Sequence, residues 1–136
     1  MSATTPPQRP RAVTHAVILA VVAFALAIIN TARLVPLVSW GPTSVAALAF
    51  TIVASVGWML VIRAVARGRN WARFVFSFLC VLSLPGVVLV AIQPFPSVAV
   101  GVNVVQAFLN VLAAVLLFTP RASAWFQTAA RTAATT

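Results

Sequence analysis

Apolar positions fall into four long runs, separated by short stretches of Pro, Gly and Arg. The first, residues 13–35, holds about 23 residues, enough at 1.5 Å each to cross a hydrocarbon layer of about 30 Å. Pro36, Gly41 and Pro42 then interrupt the pattern, and Pro42 suits the first turn of a new helix. The second run covers 43–66. Gly68 is placed to close it in the left-handed conformation and Asn70 to cap a helix opening at Trp71, so the stretch RGRN reads as a tight turn between antiparallel helices. The third run, 71–93, carries Pro85 and Gly86 past its middle, where a proline frees the Val81 carbonyl and kinks a helix. After a short turn at 94–97, the fourth run covers 98–119 and stops at Pro120.

Apolar runs of this length are not strands, because a membrane sheet must close as a barrel whose strands alternate apolar and polar over about ten residues. The pattern therefore predicts an all-α, integral membrane four-helix bundle spanning 12–120. Residues 1–11, polar and proline-rich, read as a disordered tail. Residues 121–136 read as a second tail that opens on a short interfacial helix, with Trp125 and Phe126 in the head-group layer. Arg9 and Arg11 before an apolar stretch and Ala25, Leu26 and Ala27 outline a secretory signal peptide. The apolar run continues through Ile29, longer than a signal core, so the first span is expected to be retained.

Composition supports the membrane reading. The 136 residues are 62% hydrophobic and 7% charged with no Asp or Glu, and the mean hydropathy is +1.10, well above an ordinary soluble domain. The net charge of +9 does not imply nucleic acid, since the arginines sit at the ends of apolar runs, nearest to lipid head groups. Arg9, Arg11, Arg63, Arg67, Arg69, Arg73, Arg121 and Arg131 fall on one side of the predicted topology and only Arg33 on the other. This asymmetry places both termini and the RGRN turn in the cytoplasm of a bacterial inner membrane. Arg63, Arg67, Arg69 and Arg73 are read as topology anchors in contact with anionic lipid, worth about 1 kcal/mol each.

Polar residues inside the spans are the best pointers to function, because lipid makes them costly. Ala16, Ala20, Ala23, Ala27 and Asn30 share one face of the first helix, a small-residue stripe ending in an amide. Asn103, Gln106 and Asn110 share a face of the fourth, continued by Ala107 and Ala114. Asn30 and Asn103 fall at similar depth, and with Arg33, Gln93 and Gln106 they form a candidate polar cluster. These amides either bond across helices to fix the bundle or line a path. Ser44, Ala47, Thr51 and Ser55 read as a packing face of the second helix.

The chemistry excluded is extensive. Paired-acid hydrolysis, aspartyl proteolysis and carboxylate-bound metal catalysis need groups the chain does not own. One Cys and one His do not make a metal site, and no cofactor is expected. His15 has no evident Ser partner and reads as an interfacial bystander, and Cys80 as a small buried hydrophobe. Small multidrug transporters share the size and helix number but couple through a membrane-embedded Glu absent here. Small fluoride channels carry glycine-rich and Thr-Phe-Ser-Thr signatures, of which FVFSF at 74–78 is only an echo.

The stretches RPRAV at 9–13, GRNWAR at 68–73 and FTPRASAWF at 118–126 resemble those of a loose set of uncharacterised bacterial inner-membrane proteins. These share four helices, a Gly-x-Asn-Trp-Ala-Arg turn and a Pro-x-x-x-x-Trp-Phe tail. The resemblance implies the architecture and carries no activity. The expectation is a non-enzymatic membrane protein acting by helix packing with itself or a membrane partner, with the lipid bilayer as its other partner. The alternative is a small channel or carrier using the amide stripe.

Overall fold

The computed structural model describes residues 9–37, 41–91 and 97–134, and its regular elements are all helical among the described residues. They are α1 (Arg11–Leu34), a short 3-10 turn (Val35–Leu37), α2 (Pro42–Ala66), α3 (Asn70–Ala91), α4 (Ser97–Leu117) and α5 (Pro120–Ala134). Arg11–Leu34, Pro42–Ala66 and Val98–Leu117 are each long and apolar enough to cross a membrane, and Asn70–Pro85 is a shorter apolar helix. The chain is thus an all-helical protein compatible with a membrane setting. Most of residues 1–11 lie outside the described residues, but Arg11 already belongs to α1, whose N-cap is Pro10 in an extended conformation.

Local chemistry explains the ends. Pro42 occupies the first turn of α2, where its missing N–H costs nothing, and the Gly41 N–H donates to Ser44 Oγ at 3.0 Å. At the other end of α2, the Gly68 N–H donates to the Val65 carbonyl and the Arg69 N–H to the Ala64 carbonyl. With Gly68 at φ +74°, this is a Schellman closure. Asn70 departs from its expected role. It lies inside α3, and its buried Oδ1 has no partner, so the preceding turn, tied by the Ala72 N–H to the Arg69 carbonyl, starts the helix without a side-chain cap.

The core gathers at the end of the bundle that holds the RGRN turn. Val13, Ala16 and Ala20 of α1 meet Val61, Ile62 and Val65 of α2, Phe76 and Cys80 of α3, Ala113 and Leu117 of α4, and Ala122 and Phe126 of α5. Small residues let α1 and α4 approach closely, as expected where lipid supplies no hydrophobic contrast between helices. On α4, Ala113 is fully buried, while Ala107 and Ala114 are half-buried and Ala114 packs against the core. One stripe of the helix carries the buried Ala99, Asn110, Ala113 and Leu117 with the half-buried Asn103 and Gln106 between them.

Two further expectations change. Phe126 does not sit at a head-group surface but is fully buried, because α5 folds its apolar stripe back onto the core, and α5 stays helical to Ala134. The small-residue face of α2 does not pack tightly. The buried residues of α2 are confined to Val61, Ile62, Ala64 and Val65, while Phe50 and Val53 are 75% and 70% exposed. α2 therefore touches the bundle at one end and splays from it along the rest.

Candidate functional site

The amides of the predicted cluster divide into two groups. At the end away from the RGRN turn, Asn30 Nδ2 donates across helices to the Ala99 carbonyl at 3.5 Å, and Asn103 Nδ2 donates to the same carbonyl at 2.9 Å. α1 and α4 are pinned through one shared acceptor. Arg33 is exposed and makes no part of this contact, and Gln93 lies outside the described residues. The outer amides therefore converge on one backbone acceptor.

The inner amides do not. Gln106 and Asn110 line a cleft of about 250 Å³ together with Phe24 and Ala27 of α1, Phe50, Thr51, Ala54, Ser55 and Trp58 of α2 and Ser83 of α3. Its opening follows from the splay of α2, and a narrower cleft of about 180 Å³ continues it through Thr51 toward Ser44 and Thr31. Asn110 is only 5% exposed, and its Oδ1 has no partner. Its backbone carbonyl accepts a weak bond from Cys80 Sγ at 3.7 Å, which ties α3 to α4.

The hydroxyls around the cleft are partly committed. Thr51 Oγ1 donates to the Ala47 carbonyl at 2.9 Å and Ser83 Oγ to the Cys80 carbonyl at 2.7 Å, back-bonds that leave each oxygen only its acceptor capacity. The cleft thus offers the acceptor lone pairs of Thr51 and Ser83 together with the amide of Gln106 and the hydroxyl of Ser55 between aromatic walls. Trp58 stands 5.6 Å from Phe76, ring centre to ring centre. The sequence pattern placed Thr51 and Ser55 on a packing face. The signal that joins them and Ser83 to Gln106 and Asn110 is their depth near the middle of three different apolar runs.

The arginines of the turn also divide. Arg63, Arg67 and Arg69 are exposed, whereas Arg73 is buried against α5, its Nη1 donating to Ser123 Oγ at 3.0 Å. The Arg73 guanidinium lies 4.9, 5.5 and 5.6 Å from the ring centres of Phe74, Phe118 and Phe126. Cation–π attraction and one hydrogen bond hold this charge, although its Nε is buried without a partner. Arg73 is a clamp between α3, α4 and α5, not a lipid-facing residue. Beside it, Trp125 stacks edge-on against Phe126 at 5.0 Å and covers Gly68, where an added Cβ would stand 2.8 Å from the indole.

No family model matches the chain. Neither a curated protein nor a solved structure shows significant similarity to it. Among the described residues, no group of three or more His, Cys, Asp or Glu comes together to hold a metal ion. His15 is exposed, and Cys80 is buried.

Proposed function

We propose that the chain is a non-enzymatic protein of a bacterial inner membrane that works by receiving a second transmembrane helix, from another copy or from a partner protein, against the splayed side of α2. In this reading α3 crosses the bilayer as a fourth span, and the arginine-rich turn and both termini face the cytoplasm, in line with the distribution of Arg along the sequence. The observation that carries the reading is the open cleft at Asn110. The amide of Gln106 and the hydroxyls of Thr51 and Ser55, which line that cleft at mid-depth, are costly in lipid and are relieved by a helix that brings hydrogen-bond partners. The exposed apolar face of α2 around Phe50 and Val53 supplies the surface along which such a helix lies.

A photo-crosslinking residue placed at Phe50 in native membranes tests this. It is expected to give a discrete protein adduct, while the same residue at Phe78, exposed on α3, gives lipid adducts. Lipid adducts alone at both positions would sink the proposal. The channel or carrier reading is favoured by one feature, that the cleft reaches Gln106 and Asn110. Under that reading Ser55→Cys reacts with a membrane-impermeant charged thiol reagent, whereas a packed helix protects it.

A further inference from the structure

Arg63, Arg67 and Arg69 line a cleft of about 360 Å³ with Trp71, floored by Leu60 and Val61. Arg63 and Arg67 are one helical turn apart on α2, so their like charges repel, and the chain has no acidic side chain to sit between them. The first turn of α3 begins at Asn70, and the positive end of its dipole adds to the same field. Three guanidiniums around a hollow, with no carboxylate side chain in the chain to pair with them, describe a site for an anion with several acceptor oxygens.

We propose that this cleft binds the phosphate of one anionic phospholipid as a discrete site, rather than attracting anionic lipid diffusely. The lipid source is argued from the lining. Leu60 continues the site into the apolar surface of α2, where Leu60 and Val56 are exposed and an acyl chain lies naturally, and half-exposed Trp71 suits the head-group layer. Arg73 is excluded from the site because its guanidinium is turned onto Phe74, Phe118 and Phe126. The inference rests on the membrane reading of the helices but not on any partner at α2, so the cross-linking result at Phe50 leaves it standing or falling on its own.

The test is retention of phosphatidylglycerol over phosphatidylcholine by the detergent-solubilised full chain, read by native mass spectrometry, with helix content checked by circular dichroism. The triple change Arg63→Gln, Arg67→Gln, Arg69→Gln is expected to reduce the preference by about tenfold or more. Arg9→Gln, Arg11→Gln, Arg121→Gln removes the same charge from exposed positions elsewhere and is expected to leave the preference within about twofold, as charge distant from the cleft is screened. Should the glutamine variant lose its fold, the triple lysine variant decides. It keeps the charge and gives up the planar fork, so a discrete site weakens while diffuse attraction is unchanged. Equal losses in the two glutamine sets, or full retention with lysine, would overturn the discrete site. Displacement of the lipid by soluble glycerophosphate at matched phosphate concentration would overturn the lipid as its ligand.

Discussion

At the scale of single residues, buried charge and polarity mark where the molecule is committed. Arg73 holds α5 down through Ser123 and three phenylalanines. Arg73→Gln is expected to lower stability in detergent by about 2 kcal/mol and to make α5 protease-sensitive first, while Arg73→Lys recovers part of the loss. Equal resistance of α5 in all three chains would show that the clamp carries no weight. The two donors on the Ala99 carbonyl make a second case. As part of α4 that carbonyl also accepts the helix's own backbone bond, so neither change orphans it: Asn30→Ala, which breaks the bond across helices, is expected to cost about 0.6 kcal/mol, and Asn103→Ala, which breaks a bond within α4, less. Equal costs of the two changes in thermal unfolding would mean that the bond across helices adds nothing to the pairing of α1 with α4. The spacing of Asn30 and Asn103 along the sequence placed them at one depth. The shared backbone acceptor was not legible, because any carbonyl in that layer is an equally good partner on paper.

Among the elements, the boundaries were largely legible and the packed faces only in part. Pro42 and Gly68 act through backbone geometry alone, so their roles were readable without knowing what packs on them. Gly68→Ala combines a left-handed backbone with a clash against Trp125, and it is expected to cost about 1 to 3 kcal/mol and to loosen α5. A neutral outcome in thermal unfolding would require Trp125 to move freely. The packed faces are different, because apolar residues surround each span and lipid penalises none of them. Ala107 and Ala114 were therefore as plausible as Ala113 for the seam with α1. Substitution separates them: Ala113→Leu overfills a fully buried position and is expected to cost about 1 to 3 kcal/mol, and Ala114→Leu, half-buried, markedly less. The reverse order would place the α1–α4 seam on the wrong face of α4. The splay of α2 belongs to the same blind spot, since Ser44, Ala47, Thr51 and Ser55 have the spacing of a packing face and still face an open groove.

For the whole molecule, the long apolar helices compatible with a membrane were legible because they follow from how much apolar surface the chain must place, whereas the site was not, because amide stripes serve packing and passage alike. Orientation rests on the arginines alone, and it makes the last prediction. With eight arginines on one proposed side and Arg33 on the other, Arg67→Cys is expected to react with a membrane-impermeant maleimide only after the cells are permeabilised, and Thr43→Cys before. Both positions are exposed at opposite ends of α2, and the native Cys80 is buried and stays silent. Arg67 is preferred to Gly68 as the inner reporter because any side chain at Gly68 disturbs the turn it reports on. Removing a single Arg from eight leaves the charge asymmetry intact, so the reporter does not invert what it measures. Labelling of Arg67→Cys in intact cells with protection of Thr43→Cys would invert the topology and move the arginine cleft to the outer leaflet. Labelling of both before permeabilisation would mean that α2 does not cross the bilayer, and the span reading of the whole chain would then fail with it.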